Sequence, residues 1–362
     1  MLYKVQLYDL HKELGASFGE FAKWTVPMIY TSAVKEHLSV RSNVGVFDVS
    51  HMGRLIVEGK DSFKLLQKLT SKDLSKVSRH RMSGPSAFLN EKGGFRDDVM
   101  IYNLGDKWFI VCNAINRVKV VKWIEEWIDR LRIDAHVRDL TFDLPMIAVQ
   151  GPKSPKVMED IGLGFVVKLN PLEFRTDVES PYGKVFLISR SGWTGEDGFE
   201  IIGDPIVIEK IYRKLIEVGV KPCGIIARDT LRIEMGYVLY GQDIGEDITP
   251  IEARYWVWSP KKKDYIGFTA LEKKLREGVD RLRYGLRFKK GIRFVPRHGY
   301  KVYLEDVVIG EVTSGTFSPI LNQAIAMAYI NVKHAIMGLS VEVEVRGKRY
   351  RAKIVDFPFV ER

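Results

Sequence analysis

The sequence predicts an α+β fold, with a larger mixed body followed by a small all-β domain at the C-terminal end. Three observations carry this. From about residue 280 onward, six β-rich runs follow at short intervals, residues 282–288, 301–304, 307–313, 325–330, 341–345 and 350–355, the spacing of a barrel or sandwich. Before that point apolar residues recur at helical spacing, as in Val118, Val121, Ile124, Ile128 and Leu131. Paired β-rich runs also occur there, the clearest being Asp98-Val99-Met100-Ile101-Tyr102 and Trp108-Phe109-Ile110-Val111-Cys112, joined through Gly105-Asp106. The expected division is a body over residues 1–279, made of two α+β subdomains with the first discontinuous, and a barrel over residues 280–362.

Within the body, residues 9–15 and 32–42 read as short helices, and residues 51–59 lead into a strand. Asp61 is placed to cap a helix carrying Phe63, Leu65, Leu66 and Leu69. Residues 145–150 form a short apolar strand that Gly151-Pro152 ends. Residues 184–189 and 199–202 are strands bracketing a glycine-rich connection, and helices follow over about 205–218 and 225–235.

Composition bounds the function. The chain has 362 residues, 46% hydrophobic and 28% charged, which at roughly 150 residues per domain means two or three domains with real cores. No stretch approaches the ~18 apolar residues that span a bilayer. The charged start, Leu2-Tyr3-Lys4-Val5-Gln6-Leu7-Tyr8-Asp9, is unlike a signal peptide. Cys112 and Cys223 lie in no CxxC or Cys/His cluster, which argues against a disulfide framework or structural zinc. The expectation is a cytoplasmic protein with no membrane partner. A net charge of +10 suits nucleic acid, a polyanionic cofactor or an acidic protein, or is simply a solvated basic surface. The longest basic run is Lys261-Lys262-Lys263, with no RGG or RNP-type motif to favour nucleic acid.

Three segments suit chemistry. In Gly93-Gly94-Phe95-Arg96-Asp97-Asp98-Val99, strand alternation sets Asp97 and Asp98 on opposite faces, away from a shared pocket. Asp98, on the face of Met100 and Tyr102, suits a ligand amine or a cationic intermediate; the alternative is a turn aspartate bonded to its own backbone. Ser191-Gly192-Trp193-Thr194-Gly195-Glu196-Asp197-Gly198-Phe199-Glu200 leads into a strand and lacks Lys-Ser/Thr, so it is no phosphate loop. Trp193 suits stacking on a flat heterocycle and Glu200 suits reading ring nitrogens, unless the segment is a hairpin with a capping indole. Arg228 and Arg232 share a helix face, a geometry for carboxylates or for an intrahelical ion pair. His51 and Met52 read more naturally as structural residues.

Taken in order, these segments resemble the glycine-cleavage T-proteins along nearly the whole chain. The resemblance runs through Leu7-Tyr8-Asp9-Leu10-His11, Phe47-Asp48-Val49-Ser50-His51-Met52-Gly53, Leu89-Asn90-Glu91-Lys92-Gly93-Gly94 and Asp97-Asp98. It continues through Gln150-Gly151-Pro152, Gly192-Trp193-Thr194-Gly195-Glu196-Asp197-Gly198, Lys221-Pro222-Cys223-Gly224 and Ala227-Arg228-Asp229-Thr230-Leu231-Arg232, then Leu239-Tyr240-Gly241 and Pro358-Phe359-Val360. It implies a three-domain cloverleaf around a central folate channel, closed by a C-terminal β-barrel. It also implies tetrahydrofolate as co-substrate, no metal and no flavin, and lipoylated H-protein of the glycine cleavage complex as partner, with no nucleic acid. By resemblance Asp98 stands beside the reactive folate nitrogens, Glu200 reads the pterin, and Arg228 lies near the channel. Asn113, Tyr102, Trp193 and Met52 match pocket-lining positions. The implied reaction transfers the one-carbon unit of aminomethyl-dihydrolipoyl H-protein to tetrahydrofolate, giving 5,10-methylenetetrahydrofolate and ammonia. Three departures stand out: Trp193 and Pro85 each replace a usual tyrosine, and Lys23 a usual glycine.

Other folate proteins mark the alternatives. Relatives that assist iron–sulfur assembly carry a lysine-glycine-cysteine signature, whereas Cys223 follows Pro222 and Cys112 follows Val111. A tRNA-modifying type brings a GTPase module with a phosphate loop, and an amine-oxidising type a flavin fingerprint; this sequence has neither.

Overall fold

The computed structural model describes residues 2–292 and 294–361. The chain divides into two compact units. Residues Met1–Phe88 and Asp97–Arg228 form the first, and Leu89–Arg96 with Asp229–Arg362 form the second.

The first unit is mixed α/β. Its six-stranded sheet runs in the order Phe174–Val178, Val185–Ser189, Gly198–Gly203, Met146–Gln150, Gly45–Asp48, Lys221–Pro222. The central strands are buried at every position, so they read as continuous apolar runs instead of alternating ones. Val46, Ile147, Val149, Phe199 and Ile201 pack there against Ile208, Ile211, Tyr212 and Leu215 of helix Pro205–Glu217. That helix starts where the sequence says it should, with Asp204 accepting from Ile206 N at 2.8 Å and Pro205 in the first turn.

A five-stranded sheet runs in the order Met82–Leu89, Phe95–Asn103, Trp108–Cys112, Gly53–Glu58, His136–Asp139. Strand Phe95–Asn103 carries the acid pair, and Met100 pairs with Val111 across to Trp108–Cys112. A third sheet joins Tyr3–Lys4, Trp24–Ile29 and Ser17–Phe21. Its longer strands escape the sequence reading because Gly19 and Pro27 interrupt them. Asp61 precedes helix Ser62–Leu69 as expected but does not cap it; its carboxylate accepts from Asp134 N at 2.9 Å instead. A tertiary partner has displaced the local one.

The second unit contains the expected barrel. Six strands close in the order Arg281–Phe288, Gln323–Asn331, Val307–Ser318, Lys301–Leu304, Ser340–Val345, Lys348–Val355. Leu286, Phe288, Val302, Val312, Ile330, Val343 and Ile354 fill the interior, and closure leaves no sheet edge. Arg232, the last-turn arginine of helix Ile225–Glu234, is held in this unit by Asp229 at 2.8 Å and by fully buried Asp243 at 2.7 Å. Among the described residues no helix is long and apolar enough to cross a membrane.

Candidate active site

Asp97 and Asp98 lie on opposite faces of their strand, as the alternation predicts. Along Phe95–Asn103 buried and half-buried residues alternate, with Asp97 fully buried and Asp98 partly exposed. Yet both carboxylates meet one side chain. The Asn113 amide nitrogen lies 2.8 Å from Asp97 Oδ1, 2.6 Å from Asp98 Oδ1 and 3.2 Å from the Asp98 carbonyl. The reason is cross-strand register: extending the Met100–Val111 pairing sets Asn113 opposite Asp98 just where its strand ends. The chain then turns through Ala114–Asn116, and Asn116 Nδ2 donates to Asp97 Oδ1 at 2.6 Å. The Asn113 backbone N–H donates to Asp97 Oδ2 at 3.0 Å. Burial first, then the charge of Asp98, push the Asp97 carboxyl up to about 8, against the pull of its three amide donors.

Glu200 lies in the middle of strand Gly198–Gly203, 9% exposed, paired with Ser189 on one side and Ala148 on the other. Its Oε2 accepts the Ser191 hydroxyl at 2.5 Å, and Ser191 Oγ lies 2.8 Å from Ser189 Oγ. Burial raises the Glu200 carboxyl above its ordinary value, opposed by Ser191 and by the charge of Arg228.

The glycine loop between these strands is fixed from beneath. Gln150 Nε2 donates to the Ser191 carbonyl at 2.9 Å, and Gln150 Oε1 accepts the Thr194 hydroxyl at 2.8 Å. A Cβ at Gly192 would lie 1.9 Å from Gln150 Oε1, and one at Gly198 would lie 2.3 Å from Gln150 Nε2 and 2.6 Å from the Val149 carbonyl, so a side chain at either position would displace Gln150 from its hydrogen bonds. Arg41 holds the far side through the Thr194 carbonyl at 2.6 Å and Glu196 at 2.9 Å. Trp193, partly exposed, rides on this fixed loop.

Met52 and His51 follow strand Gly45–Asp48. Asp48 accepts from Ser50 N at 2.7 Å and from the His11 ring at 2.7 Å. Fully buried Arg54 donates to the carbonyls of Ser50, Met52 and Thr141, so a cation inside the fold sets the path of residues 50–52. Met52 is partly exposed, whereas His51 is 2% exposed with a buried Nδ1 that has no partner among the described residues. Burial, then the positive charge of Arg228, depress the His51 imidazole to about 3, so it is neutral at pH 7. Arg228 itself is partly exposed and senses Glu200. Tyr102 is fully buried, its ring against Phe109 and Phe174 at 5.5 and 5.4 Å, with Glu200 close enough to raise its phenol further after burial has done so.

Contacts and charge effects thus link Asp98 with Asn113, and Glu200 with Arg228 and Tyr102, all in the first unit. Met52 and Trp193 each sit partly exposed on a segment anchored by a buried polar residue, Arg54 or Gln150. Among site residues, sequence reasoning did not name Asn116, which bonds to Asp97, or Asp97 and Ser191, which bond to Asn113 and Glu200. One signal was available: Asn113 and Asn116, three apart, directly follow the strand predicted to pair with the acid-bearing one. Among the described residues no group of His, Cys, Asp or Glu is arranged to hold a metal ion.

Comparison with known proteins is consistent along the chain. The family description "GCVT N-terminal domain" matches residues 7–263, and "Glycine cleavage T-protein C-terminal barrel domain" matches residues 281–361. A probable aminomethyltransferase from Aeropyrum pernix is 44% identical over 98% of this chain and 96% of its own. The aminomethyltransferase of Aquifex aeolicus is 42% identical over 98% of this chain and 95% of its own. The crystal structure of the glycine cleavage system aminomethyltransferase T from Bartonella henselae superposes with a TM-score of 0.91 at 33% identity, covering 99% of this chain and 98% of that one. Matches of this extent, on a mixed α/β unit and a closed six-stranded barrel, make this chain a member of the glycine cleavage T-protein family, an enzyme of the aminomethyltransferase class.

Proposed function

We propose that this chain moves the one-carbon unit of an aminomethyl-dihydrolipoyl group, carried on H-protein, to tetrahydrofolate. The carbon loses its bonds to sulfur and to the amine and gains bonds to folate N5 and N10. The two folate N–H protons end on the thiol and on ammonia, so atoms balance. The work of the protein is alignment and charge stabilisation. Asp98 faces the cationic iminium carbon, Glu200 accepts from pterin N–H groups, and Trp193 stacks on the ring. Arg228 serves the same channel, with Asn113, Tyr102 and Met52 lining it. The body over residues 1–279 holds the folate, and the barrel over residues 280–362 follows it. The surplus of positive charge suits an acidic carrier, and a cytoplasmic setting suits the isolated cysteines.

The observation that carries this reading is the Asp98 carboxylate, partly exposed while one of its oxygens is held at 2.6 Å by Asn113. A carboxyl group oriented in this way suits a cation, and the same unit holds Glu200 and Arg228. The test is turnover of aminomethyl-lipoyl H-protein with and without tetrahydrofolate. Methylenetetrahydrofolate and ammonia forming together, only when folate is present, is the expected result; ammonia release indifferent to folate overturns it.

A further inference from the structure

Asp97 has no part in the reaction as read above, yet the structure surrounds it with donors. It is 0% exposed and receives Asn113 N at 3.0 Å, Asn113 Nδ2 at 2.8 Å and Asn116 Nδ2 at 2.6 Å. We propose that Asp97 is a positioning residue for Asp98, clamping the Asn113 side chain so that its amide donates a hydrogen bond to Asp98 Oδ1. This rests on the reading of Asp98 as the acid that meets the reacting carbon.

The argument is one of amide geometry. A primary amide has two N–H bonds fixed in a plane. With one directed at Asp97 Oδ1, and the Asn113 backbone N–H bound to Asp97 Oδ2, both the backbone and the side-chain plane of Asn113 are set. The second N–H then points at Asp98 Oδ1 at 2.6 Å. Without Asp97 the terminal torsion of Asn113 is broad and roughly two-fold, and its carbonyl oxygen can turn toward Asp98 where the donor belongs. Asn116 holds Asp97 in turn, so a chain of three side chains ends on the acid that meets substrate. Asp98 on the same strand and Cys112 on the adjoining one are the titratable groups whose fields couple to Asp97. Burial and the charge of Asp98 push the Asp97 carboxyl up to about 8. The contribution of the clamp is orientation, through the fixed plane of the Asn113 amide.

The experiment compares Asp97→Asn, Asn113→Ala and the double variant in turnover with tetrahydrofolate and aminomethylated H-protein. Asparagine keeps the size of Asp97 but sets an NH₂ group against a donor, the Asn113 N–H or an asparagine amide, whichever way it turns. Each single variant should lower kcat about tenfold to a hundredfold, the value of a hydrogen bond to a charged group. KM for tetrahydrofolate should move by less than about threefold, since the loss falls on the reacting carbon. The double variant should be no slower than the slower single one, because both changes remove the same interaction. Fully additive losses, or wild-type kcat in Asp97→Asn while Asp98→Ala is inactive, overturn the proposal. If Asp97→Asn does not fold, wild-type kcat in Asn113→Ala overturns it equally. Wild-type turnover in Asp98→Ala removes the acid that Asp97 aims, and both readings fall together.

Discussion

Ser191 donates its hydroxyl to Glu200 at 2.5 Å across the glycine loop that separates them in sequence. This bond favours the ionised carboxylate, against a burial that raises its pKa. Removing it in Ser191→Ala should raise the Glu200 pKa further. KM for tetrahydrofolate should then rise about fivefold to tenfold at pH 7, the worth of one hydrogen bond, with kcat little changed. The increase should shrink as pH is raised and Glu200 ionises again. Steady-state kinetics between pH 6 and 8.5 measure this, and a KM defect that does not vary with pH counts against the role given to Glu200.

Asp98→Ala should abolish aminomethyl transfer, a loss of at least about a hundredfold in kcat for one preorganised electrostatic group. Far-UV circular dichroism should be unchanged, because Asp98 is partly exposed and its removal opens no core cavity. Turnover close to wild type would take Asp98 out of the chemistry.

His51 gives a stability prediction with a definite sign. Its folded pKa, about 3, lies below the unfolded value near 6.5, so the native state resists protonation. Its contribution is complete above pH 6.5 and is lost as pH falls toward 3. Between pH 7 and pH 5 this one residue should cost about 2 kcal/mol. Denaturant melts of His51→Gln should show a correspondingly flatter acid limb. Asp97 acts in the opposite sense, its share being complete below pH ~4 and lost as pH rises toward 8, so it does not imitate the His51 signature.

The net charge of +10 predicts a salt-sensitive association with an acidic carrier. Raising ionic strength from ~0.05 M to ~0.5 M should weaken H-protein binding several-fold, because the Debye length contracts from ~14 Å to ~4 Å. Titration calorimetry across that range measures it, and a salt-independent Kd would assign the basic surface to another purpose.

The sequence by itself determined those features whose cause is local. Six barrel strands were legible because alternation and turn residues repeat within a few positions. Helices such as Arg117–Leu131 and Pro205–Glu217 were legible from their apolar spacing, and the glycine loop from its composition. The order of family motifs named the site residues, but only as positions in a string. Tertiary structure decided what those positions touch. Asp97 and Asn113 lie 16 residues apart and Asp97 and Asn116 lie 19 apart, so their contact depends on strand register and on the turn that follows. Alternation along one strand set Asp97 and Asp98 on opposite faces, but it could not foresee a cross-strand amide that reaches both. Burial made the same distinction for His51 and Glu200: nothing in their own segments reveals how far each is removed from water, and that removal is what shifts their protons.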